Sequence, residues 1–361
     1  MTTLITGGNG FLGTALKKHF PPNAVYPFPT TVYPSSKDYN LVSQERCEFL
    51  FWQYNPEVVI HLAATVGGIG ANKANPGRFC YENLMMRANV VECCRKCKKT
   101  RKLVIASTIC SYPKFTPVPF KEEDIWNGYP EETNAPYGLA KKLIMVMGQG
   151  YREQYGLNAI TLLIVNLYGP GDHFDMENSH VIPAMIRKFH AAKVNKYPEV
   201  FLWGDGSPTR EFLYVEDAAE AISLATEKYE GKEPINIGSG MEISMSELAN
   251  QIRGVVGYEG EIIWDKSKPN GQPRRCLDVS RAKSAIGWEA KTPFSEGLKK
   301  TYEYYVNNRK ATRVTCVHGN TTEVEKGGYT GFGTIYPCRC TFSATSDGHV
   351  HPQDGLTIQK E

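Results

Sequence analysis

Tyr137 and Lys141 lie four residues apart in Tyr137-Gly138-Leu139-Ala140-Lys141, a segment that opens a long helical pattern. Side chains at positions i and i+4 share one face of a helix, so a phenol and an ammonium would be neighbours there. A nearby ammonium favours the phenolate and lowers the pKa of the phenol, which suits an acid/base. Because the same spacing occurs on many surface helices, a catalytic function can be inferred from this pair only together with a second motif.

A glycine-rich turn near the start of the chain supplies the second motif. The run Thr3-Leu4-Ile5-Thr6-Gly7-Gly8-Asn9-Gly10-Phe11-Leu12-Gly13 predicts a strand, a turn and the start of a helix, and its glycines fit both G-x-G-x-x-G and G-x-x-G-x-x-G. Glycines let the backbone approach a pyrophosphate, and a helix N-terminus offers N–H donors to it. The alternative is an ordinary glycine-rich loop. We predict a dinucleotide site formed by Gly7, Gly10, Phe11, Leu12 and Gly13.

The residues after the second predicted strand bear on the choice of dinucleotide. An acidic residue there would accept a hydrogen bond from a ribose 2′-OH and select NAD. The chain instead has Pro34-Ser35-Ser36-Lys37, followed by Asp38. Two hydroxyls and a cation suit a 2′-phosphate, so we expect NADPH. Asp38 keeps NAD open, and Lys37 could simply be a surface side chain.

The charge balance argues against several classes of partner. The chain has 361 residues with 41 basic and 38 acidic side chains, a net charge of +3. This balance gives no reason to expect nucleic acid or an anionic membrane surface as a partner. No apolar run approaches the ~20 residues of a membrane span, and the first residues lack a signal-like stretch. Irregularly spaced cysteines favour reduced thiols, so we expect a cytoplasmic protein.

Short β-branched runs alternate with longer helical patterns in the first half of the chain. This alternation favours an α/β fold of Rossmann type, a doubly wound parallel sheet with helices on both faces. The predicted strands are Thr3–Thr6, Thr31–Tyr33, Val58–Leu62, Leu103–Ser107 and Ile160–Val165, and the predicted helices are Phe11–His19, Val90–Lys99, Tyr137–Tyr155 and Ser295–Asn308.

Changes in composition predict the domain organisation. Residues 1–171 form the dinucleotide-binding domain, to which residues 212–240 return, and residues 172–310 form mainly a smaller C-terminal substrate-binding lobe. Residues 311–361 are rich in Thr, Gly and Ser, with turn signals at Gly319-Asn320, Gly327-Gly328 and Asp347-Gly348. They are expected to form an appended β-rich or partly ordered tail of unknown role.

Together, the two motifs resemble the extended, sugar-nucleotide-modifying branch of the short-chain dehydrogenase/reductase superfamily. Further stretches narrow the resemblance to the GDP-L-fucose synthases, which are 3,5-epimerases and 4-reductases of GDP-4-keto-6-deoxy-mannose. These stretches, which extend the resemblance over about residues 1–308, are His61-Leu62-Ala63-Ala64-Thr65-Val66-Gly67-Gly68-Ile69, Tyr112-Pro113-Lys114, Asn166-Leu167-Tyr168-Gly169-Pro170, Asn178-Ser179-His180-Val181-Ile182-Pro183 and Arg210-Glu211-Phe212.

The resemblance implies roles for particular residues. Tyr137 would donate a proton to the C4 oxygen of the sugar, with Lys141 as its partner and as a ligand of the cofactor. The catalytic hydroxyl falls on Thr108, or on Ser107 if the local backbone bulges. Cys110 and His180 match the epimerisation pair, although Ile109 and Ser111 depart from the common wording around Cys110. The remaining matched positions are Asn166 and Leu167 for the cofactor and Lys188, Trp203, Arg210 and Asp278 for the substrate.

Alternative interpretations follow from the same residues. Cys110 could be a small buried apolar residue, His180 a packing histidine and Lys188 a solvated helix charge. The chain could then be a C4 reductase without epimerase activity that acts on a related GDP-deoxysugar. From another class, it could be a non-catalytic dinucleotide-binding or interaction protein whose tail is the working part. A homodimer packed through long helices, including residues 137–155, is implied by the resemblance alone.

Two cysteine patterns could suggest a metal, but we expect none. Cys93-Cys94-x-x-Cys97 lies in a helical pattern and is more simply a core-facing stripe. The tail holds six candidate ligands in pairs spaced two residues apart, which is unusual for zinc. These ligands are Cys316, His318, Cys338, Cys340, His349 and His351.

Overall fold

The computed structural model describes residues 2–21, 30–67, 69–175, 179–268 and 270–309, and beyond them the backbone of six strands between residues 311 and 360. In chain order the strands are β1 Thr2–Thr6, β2 Thr30–Val32, β3 Val58–His61, β4 Lys102–Thr108, β5 Asn158–Ile164, β6 Asn166–Tyr168, β7 Glu199–Trp203, β8 Thr209–Tyr214, β9 Ile235–Ile237, β10 Glu242–Ser244, β11 Glu261–Asp265, β12 Ala311–Cys316, β13 Thr321–Glu325, β14 Gly331–Ile335, β15 Cys340–Ala344, β16 Val350–Pro352 and β17 Leu356–Lys360. The helices are α1 Phe11–Leu16, α2 Gln44–Tyr54, α3 Ile69–Ala74, α4 Pro76–Lys96, α5 Ala135–Tyr155, α6 Val181–Val194, α7 Val215–Lys228, α8 Met245–Val256, α9 Ser280–Ile286 and α10 Phe294–Asn308.

The central sheet has the strand order β2-β1-β3-β4-β5-β9, and neighbouring strands in it are all parallel. Successive side chains in a strand point to opposite faces, so Leu4 and Ile5 of β1 enter two different hydrophobic cores. Leu50 of α2 lies in the core shared with Leu4, while Ile222 of α7 lies in the core shared with Ile5. Helices therefore cover both faces of a parallel sheet, which confirms the predicted fold class.

Two predicted helices differ from the structure by three residues or more at one end or both. The predicted helix Phe11–His19 ends at Leu16, after which the backbone continues in tighter turns such as Lys17 N–H to Thr14 O. The helix predicted from Val90 begins at Pro76, and its last helical residue is Lys96. In the tail the predicted short strands are present, whereas the predicted turns lie outside the described residues.

The chain divides into two compact units. The first comprises Met1–Tyr168, Thr209–Glu242 and Arg274–Thr292 and contains the central sheet. The second comprises Gly169–Pro208, Ile243–Pro273 and Pro293–Glu361. In the second unit β7 pairs in parallel with β11, α6 and α10 pack with α8, and the tail strands form two antiparallel sheets, β13-β12-β17 and β14-β15-β16. Among the described residues, no helix has the length and apolar character that crossing a membrane requires.

Candidate active site

The glycine turn brings the end of β1, the start of α1 and the chain after β3 into close contact. Gly7 has a φ of 73°, and a Cβ there would lie 2.6 Å from Ala63 N. A Cβ on Gly13 would lie 2.4 Å from Gly7 O, and Gly10 N–H donates to the same oxygen at 3.0 Å. Strand β1 lies between β2 and β3, so the turn is at the point where the strand order reverses, which is where dinucleotides bind in such sheets.

A small cavity of about 70 Å³ lies beside this turn. It is lined by Thr6, Pro34, Ser36, Tyr39, Asn40, Leu41, Ala63 and Met86. Ser36 thus lines it, while Lys37 and Asp38 are exposed in the same loop. Ser35 orders this loop, because its carbonyl accepts from Asp38 N–H and its hydroxyl from Lys37 N–H.

Helix α5 positions the phenol and the ammonium as the sequence predicts. Lys141 Nζ lies 5.1 Å from the centroid of the Tyr137 ring and donates to Ala106 O at 3.2 Å. Burial, reinforced by the Arg87 guanidinium, lowers the pKa of Lys141 well below its usual range. Burial also raises the pKa of Tyr137, against the expected lowering, and the cation that opposes this rise is Arg87. The direction of the shift at Tyr137 is therefore set by the burial of the phenol itself, which outweighs the opposing cation.

Arg87 of α4 is a functional candidate that the sequence reasoning missed. Its side chain is fully buried, with Nη1 donating to Asn83 Oδ1 at 3.0 Å and Nη2 donating to Ala106 O at 3.3 Å. Lys141 and Arg87 therefore share one carbonyl acceptor. Burial lowers the pKa of Arg87 to about 10, and burial together with both cations holds the pKa of His61 well below its usual range. The signal for Arg87 in the sequence was weak, since it is simply a charged residue within a helical pattern.

The candidate hydroxyls follow one another at the end of β4. Thr108 is half-buried, and its Oγ1 accepts from Cys110 N–H at 3.3 Å, which caps a short turn. Ser107 is buried, and its hydroxyl has no hydrogen-bond partner among the described residues. Helix α5 packs directly on this turn, because a Cβ on Gly138 would lie 2.4 Å from Cys110 O. The first unit thus brings Thr108 and Cys110 together with the Tyr137 helix.

Two arginines are close enough to Cys110 to interact with it electrostatically. Arg275 Nη1 lies 3.5 Å from Cys110 Sγ. Burial and the neighbouring Arg275 lower the pKa of Arg210 to about 10, and Cys110 and Glu131 act in the opposite direction. Arg275 was not predicted, since it is 165 residues from Cys110 in the chain.

Glu211 anchors the segment that carries Arg275. Its carboxylate accepts from Gly240 N–H at 2.7 Å and from Leu277 N–H at 2.6 Å, and burial raises its pKa to about 7. Asn166 Nδ2 donates to the carbonyl of Glu211, while Leu167 is half-buried in β6. Asp278 Oδ1 accepts from the backbone N–H of Ser280 at 2.9 Å, so it also orders the start of α9.

The other predicted residues belong to the second unit. His180 directly precedes α6, and 48% of its side chain is exposed. Lys188 is exposed on α6, and its Nζ donates to Phe201 O at 2.9 Å. Trp203 is 62% exposed at the end of β7, with Lys268 Nζ 5.9 Å from its ring centroid.

The residues whose side chains the structure describes contain no group of three or more His, Cys, Asp or Glu suited to hold a metal ion. Cys93 and Cys94 are buried in the core, as expected, and Cys97 Sγ lies 3.3 Å from Asn55 Oδ1 at the end of α4. The side chains of the six candidate ligands in the tail lie outside the described part of the chain.

Comparison with known proteins gives a consistent family. Residues 3–238 match the NAD dependent epimerase/dehydratase family. The chain is 42% identical over 304 residues to a probable GDP-L-fucose synthase of Oryza sativa subsp. japonica, covering 84% of this chain and 92% of that protein.

Two solved structures share the fold. The GDP-L-fucose synthetase of Naegleria fowleri bound to NADP has a TM-score of 0.77 at 28% identity, covering 85% of this chain and 94% of that chain. The GDP-6-OMe-4-keto-L-xylo-heptose reductase of C. jejuni has a TM-score of 0.79 at 30% identity, covering 85% of this chain and 97% of that chain. The chain therefore belongs to the NAD dependent epimerase/dehydratase family and, within it, to the GDP-L-fucose synthases.

Proposed function

We propose that the protein converts GDP-4-keto-6-deoxy-D-mannose to GDP-L-fucose by epimerisation at C3 and C5 and NADPH-dependent reduction at C4. The observation that carries this proposal is the cluster of phenol, ammonium, hydroxyl and thiol at the end of β4. Tyr137 and Lys141 come from α5, and Thr108 and Cys110 from the turn that α5 packs against. These groups supply a proton donor for a ketone oxygen and an acid/base for the neighbouring carbons.

The glycine turn fits a dinucleotide. Only glycine, which has no Cβ, fits at positions 7 and 13, because the neighbouring backbone approaches too closely for any other residue. Such a tight turn is suited to bind a pyrophosphate. In our proposal Gly7, Gly10, Phe11, Leu12 and Gly13 hold the pyrophosphate, and Ser36 with Lys37 favours the 2′-phosphate. Lys141, Asn166 and Leu167 hold the nicotinamide end. When bound, NADPH supplies a hydride to C4.

Epimerisation needs a base on one face of the sugar and an acid on the other. The C4 ketone acidifies the protons at C3 and C5. One group of the Cys110 and His180 pair takes the proton from carbon, and the electron pair of the broken C–H bond moves to O4 as an enolate. The other group returns a proton on the opposite face, which restores the ketone with inverted configuration. Cys110 contributes from the turn after β4 and His180 from the start of α6.

The enolate and the alkoxide both place negative charge on O4. Tyr137 and Thr108 are suited to stabilise it by hydrogen bonds, and Tyr137 gives O4 its proton during reduction. The basic side chains of Lys141 and Arg87 are buried near the phenol, which suits the site to a developing negative charge.

The nucleotide and sugar require further contacts. Arg210 and Lys188 suit the diphosphate, because cations bind phosphate oxygens strongly. Trp203 offers an exposed ring for stacking or apolar contact. The Asp278 carboxylate accepts from Ser280 N–H and can accept further hydrogen bonds from sugar hydroxyls. Arg275, beside Cys110, is an additional candidate for the diphosphate or the keto-sugar.

We also propose a homodimer that packs through α4 and α5. These helices border an apolar cavity of about 350 Å³ lined by Cys80, Leu84, Trp126, Leu139, Ala140, Lys142, Leu143 and Val146. Leu143 and Val146 are 53% and 46% exposed on α5, and a second copy of the chain would cover them.

The cysteines with described side chains are free thiols, which supports a reducing compartment such as the cytoplasm.

The test is to incubate the protein with GDP-4-keto-6-deoxy-mannose and NADPH, follow cofactor oxidation and identify the sugar by NMR. GDP-L-fucose is the expected product. The structural likeness to a GDP-heptose reductase favours a second candidate, a C4 reductase without epimerisation, and a D-configured C4 alcohol would establish it. If Tyr137→Phe retains full turnover, the catalytic site lies elsewhere. If Cys110→Ser leaves the rate and product configuration unchanged, Cys110 is not part of the epimerase pair.

A further inference from the structure

Asp172 is a buried carboxylate in the second unit that our proposed mechanism does not use. Its side chain is 1% exposed, and Oδ1 accepts from the backbone N–H of His173 at 2.8 Å. Oδ2 is buried and has no hydrogen-bond partner in the described part of the chain. A buried carboxylate oxygen without a donor is costly unless a charge or a hydrogen bond compensates it. Asp172 is therefore a buried carboxylate with hydrogen-bonding capacity that its own backbone contact does not use.

The imidazole beside Asp172 belongs to His180. Nδ1 of that ring lies 3.9 Å from Asp172 Oδ1. The backbone of His180 is fixed, because its carbonyl accepts from Ala184 N–H at 3.0 Å in the first turn of α6. About half of the imidazole is exposed, so one edge faces solvent while the backbone is held.

A second buried carboxylate shows what a purely structural role looks like in this protein. Counted over the whole residue, backbone included, Asp217 and Asp172 are each 6% exposed. Asp217 Oδ2 accepts from Thr292 N–H and Oδ1 from the Thr292 hydroxyl, each at 2.9 Å, so both oxygens have donors. Asp172 differs because one oxygen is left over and the neighbouring titratable group is a histidine.

We propose that Asp172 is a positioning residue for His180 in the epimerisation, an inference that rests on the proposed function above. The carboxylate favours the tautomer with a proton on Nδ1, which leaves Nε2 free to take the proton from C3 or C5. As that C–H bond breaks, the proton moves to Nε2 and the electron pair to O4, and the imidazole becomes a cation. Asp172 then stabilises the imidazolium as an ion pair, as carboxylates do for histidine bases in general.

The test separates proton transfer at carbon from hydride transfer at C4. Wild type, Asp172→Asn and Asp217→Asn are incubated with GDP-4-keto-6-deoxy-mannose in D₂O without NADPH, and deuterium at C3 and C5 is followed by NMR. We expect Asp172→Asn to slow exchange roughly 10- to 100-fold with the Kd for NADPH unchanged. Asp217→Asn should lower the thermal midpoint and leave exchange per folded molecule unchanged.

A chemical rescue distinguishes the carboxylate's charge from its packing. Formate added to Asp172→Ala should restore part of the exchange rate, because it can occupy the space of the missing carboxylate beside His180, whereas formamide should not. Exchange at the wild-type rate in Asp172→Asn overturns the proposal. So does a loss that comes with weakened NADPH binding and that formate does not restore. If wild type itself exchanges no deuterium, the epimerase function fails, and the role of Asp172 fails with it.

Discussion

Replacing Arg87 with Met tests whether a buried charge sets the pH range of the reduction. Methionine is unbranched and adapts to the space of the arginine stem. The substitution leaves no acceptor unpaired, because Ala106 O keeps its bond from Lys141 and Asn83 Oδ1 keeps its bond from Thr65 N–H at 3.2 Å. It also removes a costly buried guanidinium. We therefore expect the free energy of unfolding to stay within about 1 kcal/mol of wild type or to rise.

The expected pH shift follows from the geometry. Arg87 and Lys141 donate to the same oxygen, so the two cations are at most about 6.5 Å apart. At an effective dielectric constant of ~20, two charges at that distance interact by ~2.5 kcal/mol, or ~2 pKa units. The guanidinium lowers the pKa of Lys141 and opposes the rise at Tyr137. Without it both groups hold their protons to higher pH. The alkaline limb of the reduction should therefore move up by roughly 1–2 pH units.

The assay is the pH profile of NADPH oxidation at saturating keto-sugar, with stability measured by urea unfolding. Arg78→Met is the matched control, because Arg78 lies on the same helix, its side chain is 65% exposed and it pairs with Glu82. The control profile should superimpose on wild type. If the Arg87→Met profile also superimposes while activity is retained, the buried guanidinium does not influence the Tyr137 and Lys141 pair, and the electrostatic reasoning is wrong.

Three further predictions follow. Gly13→Ala should weaken NADPH binding at least about ten-fold in a calorimetric titration, since the new Cβ would lie 2.4 Å from a backbone oxygen of the turn. The control Gly150→Ala, where a Cβ meets nothing within 4 Å, should leave NADPH binding unchanged. Because burial raises the pKa of Glu211 from 4.5 to about 7, its contribution to stability is present at low pH and is lost as pH rises through that window, by up to roughly 3 kcal/mol. Glu211→Gln should flatten this slope in urea unfolding, and an unchanged slope would contradict the assignment. Arg275→Met should slow deuterium exchange at C3 and C5 because it removes the guanidinium 3.5 Å from Cys110 Sγ; a wild-type exchange rate would exclude that role.

The fold was largely predictable because its pattern is local. The short β-branched runs of the strands and the glycine turn are each recognised within about ten residues. Helix α4 shows where this approach fails. The part of this helix before Val90 carries Asn83, Arg87 and Asn89 on buried positions, and these polar residues interrupt the apolar periodicity that identifies a helix. The polar groups that interrupted the pattern are hydrogen-bonded inside the protein, which a sequence window cannot show.

The candidate site was predictable to the extent that its spacing is local or its motif is familiar. Tyr137 and Lys141 share a helix face and could be paired from spacing alone, whereas Arg275 reaches Cys110 only through the folded chain. The ammonium's effect on the phenol was mispredicted because burial, which is invisible in the sequence, changes the pKa of both groups. Chemistry between distant segments therefore required the structure.

The positions where the hydrophobic pattern breaks are also those that best explain the chemistry. Burying an ionisable group opposes folding, so such groups persist mainly where they do something that an apolar side chain cannot. In the first unit the basic side chains of Arg87, Lys141 and Arg275 are buried and lie near the phenol or the thiol, where a ketone would develop negative charge. In the second unit the buried charge at Asp172 is negative and faces a histidine that must become positive. At these four positions the sign of the buried group is thus opposite to the charge that the proposed reaction develops beside it, as electrostatic preorganisation requires.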